Sequence, residues 1–180
     1  RSSIQDDPVP GVESSKIIAS LLTNKIVAGP KEARKLAKSI QATREILRNV
    51  ERLKSLGATV KYVSVDITDK KLLSLELEKV RQDWGPITGI VHGAGVLADK
   101  EIAKKPVKDF EWVFDVKIEG MKTLLECTQS DPLTYLVYFS SVAARFGNRG
   151  QCDYAAANEV LNKMAIYEKR KRPNISLIFF

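Results

Sequence analysis

Short, nearly continuous apolar runs separated by helix-length segments are the feature of this sequence that most constrains its fold. Such runs occupy residues 87–91, 133–139 and 175–180, and a fourth segment, 59–65, alternates apolar and polar side chains like a strand. Continuous apolar strands that alternate with helices are typical of parallel sheets covered on both faces. We therefore predict an α/β fold with a doubly wound parallel sheet. Apolar positions at helical spacing predict helices over residues 69–84, 107–129 and 151–171.

The composition suits a globular chain and excludes several classes of protein. Of the 180 residues 44% are hydrophobic, which is enough to build a core, and no apolar run approaches the roughly 18 residues of a membrane span. The cysteines, Cys127 and Cys152, form no CxxC pair, and His92 is the single histidine. We therefore expect neither a metal site nor a disulfide scaffold.

The formal charge of +7 raises the question of a nucleic-acid partner. Its densest block, residues 169–172, precedes Pro173 and is typical of a solvated helix end, where cations favour the helix dipole. No RNA-binding aromatic signature accompanies this block. Positive charge also suits phosphorylated cofactors and acyl carriers. We therefore expect no nucleic-acid partner and keep nucleic-acid binding only as the weakest alternative.

The N-terminal quarter of the chain has a different pattern from the remainder. Residues 1–11 are polar with two prolines and predict a loop, while helices are expected over 12–24, from Pro30, and over 43–56. The chain begins with Arg1 rather than methionine and ends on an apolar run, so we expect it to be an interior piece of a longer protein.

We expect one partial domain over residues 1–180. In it, residues 1–42 would form a loop and helical insertion, and residues 43–180 the main α/β part.

Small and polar residues follow the predicted strands, at the edge where parallel sheets bind ligands. They are Asp66, the Gly-Ala-Gly of residues 93–95, and Ser141. Tyr154 and Asn158 lie four residues apart, which places them on one face of the predicted helix. A tyrosine can give a proton to a developing alkoxide, and a serine hydroxyl can hold the same oxygen. Spacing alone leaves open that Tyr154 is a half-buried aromatic and Asn158 a surface amide.

Lys117 falls within the apolar stripe of the helix predicted over 107–129. A lysine in such a position usually extends its ammonium to solvent along the helix surface. The alternative is a cation held in a cleft, where it tunes a neighbouring phenol. The lone His92 has no partners for a catalytic triad, and we expect it to be structural.

Four segments, in order, resemble the ketoreductase domains of modular polyketide synthases and related multidomain fatty-acid synthases. This family is a branch of the short-chain dehydrogenase/reductases. Residues 139–158, FSSVAARFGNRGQCDYAAAN, resemble its catalytic segment. The other three are VSVDITD (63–69), GIVHGAGVLADK (89–100) and FEWVFDVKIEGMKTLL (110–125), and together the resemblance covers about residues 58–180.

In most short-chain dehydrogenases the lysine follows the tyrosine by four residues. These ketoreductases instead have asparagine there and the lysine on the preceding helix. This chain resembles the second arrangement, with Asn158 four residues after Tyr154 and Lys117 on the earlier helix.

The resemblance implies a Rossmann-like fold and a role for each matching residue. Tyr154 would be the proton donor, and Ser141 would orient the substrate carbonyl. Lys117 would make the phenol more acidic and hold the nicotinamide ribose, while Asn158 would support the proton path. The residues it assigns to NADPH binding are Arg1, Asp66, Ile67, Gly93, Ala94, Gly95, Lys117 and Tyr154.

The implied reaction is the NADPH-dependent reduction of a β-ketoacyl thioester to the β-hydroxyacyl thioester. The acyl chain would be carried by the phosphopantetheine arm of an acyl carrier protein, within a multidomain synthase of the cytoplasm. The alternative is a catalytically silent piece of such a synthase that packs against neighbouring domains.

The sequence also departs from the family pattern. It lacks the glycine-rich pyrophosphate loop of the first βα turn, so the first βαβ unit would be missing and the fragment alone inactive. Leu97-Ala98-Asp99 resembles the LDD element of one stereochemical class, with Ala98 in place of its middle Asp. Arg149 stands where that class often has proline, and Phe146 stands where the opposite class has tryptophan. The stereochemistry of the product stays open.

Overall fold

The computed structural model describes Ile4 and residues 6–180. The chain divides into two compact units, a first unit of Arg1–Ser64 and a second unit of Val65–Phe180. The helices and strands of the described residues are α1 Ile17–Thr23, α2 Pro30–Ser55, α3 Lys70–Trp84, β1 Gly89–His92, α4 Val107–Cys127, β2 Tyr135–Tyr138, α5 Ala143–Phe146, α6 Cys152–Lys171 and β3 Ser176–Phe179.

The first unit is built on α1 and α2. Pro30 starts α2 because its fixed φ suits the first helical position, where no backbone N–H is needed. The small side chains Ala33 and Ala37 face Ile17 and Leu21 of α1, and all four are buried in the core of this unit. No glycine or proline interrupts residues 31–55, so the two helices expected there form one continuous helix.

α2 also runs through residues 42 and 43, where the sequence suggested a boundary. That residues 1–42 act as an insertion stays a prediction.

The strand predicted over residues 59–65 is absent from the described structure, and that prediction was wrong. The segment is not part of any sheet, and none of its side chains is buried. Alternation of apolar and polar residues favours an extended chain, but a strand also needs a neighbour to complete its backbone hydrogen bonds. The described sheet has the order β1-β2-β3, and none of these strands pairs with residues 59–65.

The second unit contains a three-stranded parallel sheet, which confirms the α/β class. Gly89 of β1 lies opposite Tyr135 of β2, which in turn lies opposite Ser176 of β3. Helices α4 and α6 pack against one face of the sheet, while Val91 and Ile178 on the other face are exposed. The buried core between the helices and the sheet is formed by Ile90, Ile118, Met121, Leu125, Leu133, Leu136, Tyr138, Ala157, Leu161, Ala165 and Ile175.

The carboxyl ends of the strands place the predicted site residues at one edge. β1 ends at His92 and continues into Gly93, while β2 ends at Tyr138, three residues before Ser141. α5 follows Ser141 and packs against α6, which begins at Cys152. No helix of the described residues is long and apolar enough to cross a membrane.

Candidate active site

Lys117 is held inside the second unit by α4. The residue is only 3% exposed, and its Nζ donates a hydrogen bond of 2.8 Å to the backbone oxygen of Phe139. The same Nζ lies 5.8 Å from the centroid of the Tyr154 ring. Burial lowers the pKa of Lys117 from its usual range, because the low-dielectric interior penalises the ammonium. The sequence left open whether the Lys117 ammonium extends to solvent or is held in a cleft, and the structure shows it buried.

His92 supports the turn of α4 that carries this lysine. Its Nε2 donates to the backbone oxygen of Lys117 at 2.9 Å, and the ring is buried. Since a carbonyl only accepts, this bond places a proton on Nε2. Burial lowers the pKa of His92, so the neutral ring is favoured. The position fits the structural role expected for this histidine.

The segment after β1 passes close to the Lys117 side chain. A Cβ added to Gly95 would lie 3.5 Å from Cε and 3.7 Å from Nζ of Lys117. At Gly93 an added Cβ would lie 3.5 Å from the Phe139 ring. Ala94, between them, is half-buried. The small residues therefore leave the strand end open next to the ammonium.

Tyr154 and Asn158 share one face of α6, as their spacing predicted. Tyr154 is half-buried, and Asn158 is fully buried with its Nδ2 donating to the backbone oxygen of Tyr154 at 2.8 Å. Within the described part of the chain the Oδ1 of Asn158 has no hydrogen-bond partner. A buried amide oxygen without a protein partner is a position for a water or a ligand hydroxyl.

Ser141 lies between β2 and α5. Its Oγ accepts a hydrogen bond of 3.1 Å from the backbone N–H of Ala143, at the start of α5. That bond uses a lone pair of the hydroxyl and leaves its hydrogen available to donate. The Ser141 side chain is half-buried. The residue follows Phe139 by two positions, and the backbone oxygen of Phe139 accepts the hydrogen bond from the Lys117 ammonium.

Asp66 and Ile67 precede α3. The Oδ1 of Asp66 accepts from the backbone N–H and the hydroxyl of Thr68, at 3.1 and 2.8 Å, so at least this oxygen caps the local turn. Ile67 packs against Gly120, one turn after Lys117 in α4. A Cβ at Gly120 would come within 2.5 Å of the Ile67 Cδ1. The glycine thus allows the two segments to approach closely.

The structure brings together most of the predicted site residues. Lys117 contacts the segment after β1, the end of β2 and the ring of Tyr154, and Asn158 contacts Tyr154 through its backbone. Arg1, predicted to bind NADPH, lies outside the described residues. Across Ile4 and residues 6–180 no cluster of histidine, cysteine, aspartate or glutamate side chains could hold a metal ion.

Two contributors were not predicted from the sequence. The Phe139 carbonyl had no sequence signal, because every residue has a carbonyl. Gly120 did have one, since a glycine inside a helix is unfavourable and often marks close packing.

Comparison with known proteins identifies the family. The family model described as the KR domain matches residues 16–178. The chain belongs to the KR domain family. It is 34% identical over 152 residues to a polyunsaturated fatty acid synthase of Thraustochytrium sp., covering 84% of this chain and 5% of that protein. It is 32% identical over 142 residues to polyketide synthase PksL of Bacillus subtilis, covering 77% of this chain and 3% of that protein.

Solved structures of ketoreductases show the same fold. An N-terminal ketoreductase from the macrolactin assembly line superimposes with a TM-score of 0.70 at 34% identity, over 75% of this chain and 28% of the other. A ketoreductase domain from the bacillaene assembly line gives 0.69 at 35% identity, over 74% and 33%. The resemblance to synthase ketoreductases is therefore confirmed, as is the Rossmann-like fold. The chain spans a third or less of these solved ketoreductases and at most a twentieth of the two synthases above.

Proposed function

We propose that the protein reduces a β-ketoacyl thioester with NADPH, giving the β-hydroxyacyl thioester within a polyketide or fatty-acid synthase. The observation that carries this proposal is the buried Lys117 ammonium, whose Nζ lies 5.8 Å from the centroid of the Tyr154 ring. In the described residues its hydrogen-bond acceptor is a carbonyl, and no carboxylate lies within 4 Å of it. Its charge is therefore not cancelled locally and acts on the neighbouring phenol.

Each polar residue has a chemical task in this proposal. The phenol of Tyr154 gives its proton to the substrate oxygen as negative charge develops on it. The hydroxyl of Ser141 donates to the same oxygen and holds the carbonyl in place. Lys117 favours release of the phenol proton, and the open Oδ1 of Asn158 holds a water through which the proton is replaced.

The residues at the strand ends fit a nicotinamide cofactor. Gly93, Ala94 and Gly95 leave a surface without bulky side chains directly beside the Lys117 ammonium, which would bind the ribose hydroxyls. Asp66 and Ile67 would line the adenine pocket, with Arg1 near the 2′-phosphate. When bound, NADPH supplies the hydride for the carbonyl carbon.

The proposed partners are an acyl carrier protein, which presents the acyl chain on phosphopantetheine, and neighbouring synthase domains. The names of the relatives support this, because they are large synthases of which the matched region is a small part. We place the reaction in the cytoplasm, where the two free cysteines, Cys127 and Cys152, would stay reduced.

Replacing Tyr154→Phe in the full-length protein tests the proposal. Reduction of a β-ketobutyryl thioester of N-acetylcysteamine should fall by about 10²- to 10⁴-fold, the usual contribution of a proton donor. NADPH binding, followed by cofactor fluorescence, should persist because the phenyl ring remains.

Tyr167→Phe is the matched control. This tyrosine lies on the same helix, is 58% exposed and stacks with the Lys171 ammonium, so its loss should leave turnover unchanged. Retained turnover in Tyr154→Phe would remove the tyrosine from the mechanism. A full-length wild-type protein that neither binds NADPH nor reduces the thioester would favour the catalytically silent alternative.

A further inference from the structure

Four contacts join the loop between β1 and α4 to residues 149–153, which lead into and begin α6. The backbone N–H of Lys100 donates to the Gly150 oxygen at 2.9 Å, and the Gln151 amide donates to Asp99 at 2.9 Å. The guanidinium of Arg149 pairs with Glu101, both with exposed side chains. These three contacts lie at the surface or near it, where water competes for the same groups. The fourth contact, between Lys105 and Asp153, is buried.

Lys105 and Asp153 form an ion pair in the interior of the second unit. The Lys105 Nζ lies 2.6 Å from the Asp153 Oδ2, and the side chains are 3% and 1% exposed. The same ammonium donates to the backbone oxygen of Ala98 at 2.7 Å. One cation thus ties the loop after β1 to the first turn of α6, through side chains that are almost entirely shielded from water.

Asp153 immediately precedes the proposed proton donor. Its second oxygen, Oδ1, accepts from the backbone N–H of Tyr154 at 2.9 Å. Both oxygens of the carboxylate are therefore engaged, one by Lys105 and one by the residue whose position matters for proton transfer. The chain of contacts runs from Ala98 through Lys105 and Asp153 to the backbone of Tyr154.

The structure assigns Lys105 and Asp153 the role of positioning residues, a buried ion pair that fixes Tyr154 against the loop after β1. This role rests on the proposed function of Tyr154. A requirement for stability alone does not explain the pair, because apolar side chains of similar volume are often as stabilising as a buried ion pair. A pair of charges with fixed hydrogen bonds does provide a defined position.

The consequence for catalysis follows from geometry. Displacement of a reacting group by about 1 Å can reduce a rate roughly a hundredfold even when substrate binding is retained. Without the pair, only surface contacts join the loop after β1 to the segment that leads into α6, and such contacts tolerate a displacement of this size. The loss is therefore expected in kcat rather than in KM.

The test compares Lys105→Met with Lys104→Met in the full-length protein. Lys104 is the neighbouring residue, but its side chain is 77% exposed and pairs with Glu101 at the surface. Lys105→Met should lower kcat for the β-ketobutyryl thioester between about tenfold and a hundredfold, with KM for thioester and NADPH changed less than about twofold. Lys105→Arg, which keeps the charge, should retain kcat within about threefold of the wild type.

Two further measurements separate positioning from folding and from the proposed reaction. The double variant Lys105→Met/Asp153→Leu removes both charges, so its thermal midpoint should match that of the wild type while its kcat stays low. If Lys105→Met alone fails to fold, the double variant takes its place in the test. Hydrogen exchange of the Tyr154 amide should be faster in Lys105→Met than in Lys104→Met. This second measurement needs no turnover.

Wild-type kcat and unchanged Tyr154 exchange in Lys105→Met would overturn the positioning role. A double variant with full kcat would overturn it as well. If the amide exchange changes as expected but the wild-type protein reduces no β-ketoacyl thioester, the pair still positions Tyr154 and the proposed function fails instead.

Discussion

The two compact units carry charge in different ways. The first unit has 12 basic and 6 acidic residues, while the second has 17 and 16. Much of the surplus lies on one exposed face of α2, and the described residues place no carboxylate within 4 Å of its members. These are Lys31, Arg34, Lys38, Arg48 and Arg52. The net charge of the chain therefore describes the first unit and says little about the unit that holds the candidate site.

Within the second unit the informative contrast is between two buried lysines. Lys105 is neutralised at 2.6 Å by Asp153. Lys117 is as buried, but its acceptor is the carbonyl of Phe139. The electric field of a buried cation is largely cancelled when a carboxylate lies beside it. A cation whose partner is a neutral carbonyl keeps its net charge, so its field reaches the neighbouring groups. Position and pairing, rather than the number of cations, distinguish Lys117, for which we propose a role beside Tyr154, from Lys105.

Lys117→Met would test this contrast most strongly. Removing the ammonium should lower kcat/KM for the β-ketoacyl thioester by about a hundredfold or more, because the phenol loses the charge that assists proton release. The folded protein should be at least as stable, since burial of the charge no longer has to be offset. Steady-state kinetics and thermal unfolding measure the two effects.

The control for that variant is Arg48→Gln, which removes an exposed charge from α2. It should leave kcat/KM unchanged. Equal losses in the two variants would mean that net charge, and not the position of Lys117, determines the rate.

Arg44 is the exception on α2, and Arg44→Met would sharpen the comparison. Its guanidinium pairs with Asp7 at 2.8 Å and donates to the backbone oxygens of Val9 and Val12. Loss of these contacts should cost about 1–3 kcal/mol, seen as faster hydrogen exchange over residues 6–12, whereas Arg34→Met should have little effect. The same guanidinium lowers the pKa of Asp7 below 3.8. That contribution is therefore complete above about pH 5 and is lost as the pH falls through the lowered value.

The smallest expected effect concerns the single histidine. Burial lowers the pKa of His92 below its ordinary value of 6.5. At a pH between the lowered pKa of the folded state and 6.5, the unfolded chain therefore binds more protons than the folded one. Stability should therefore fall as the pH drops from 7.5 to 5.5, by at most about 1.4 kcal/mol, measured by urea unfolding. His92→Gln keeps a donor for the Lys117 carbonyl and should remove this dependence. An identical loss in the variant would assign the effect to the carboxylates.

Much of the second unit could be predicted from the sequence, because its elements have strong periodicity and clear ends. Helix α3 ends before Gly85, whose φ of 87° suits glycine, and α4 and α6 follow their apolar positions closely. The four-residue α5 is too short to give a period. The failure at residues 59–65 has another cause, since strand formation depends on a partner elsewhere in the chain.

The candidate site shows the same limit. The four-residue spacing of Tyr154 and Asn158 predicted that they share one face of the helix. The family resemblance assigned Lys117 to the same site. Sequence spacing did not indicate that Lys105 pairs with a residue 48 positions away. That contact arises from the parallel topology, which brings the loop after β1 to the start of α6.

The close approach of Ile67 to Gly120 has a consequence for sequence variation. An added Cβ at position 120 would lie 2.5 Å from the Ile67 Cδ1, so one position limits what the other can become. Across homologues, a side chain at 120 should be found where 67 is small, and glycine where 67 is large. Positions 67 and 120 should therefore covary. Substitutions in the segment of Asp66 would then be coupled to substitutions in the helix of Lys117.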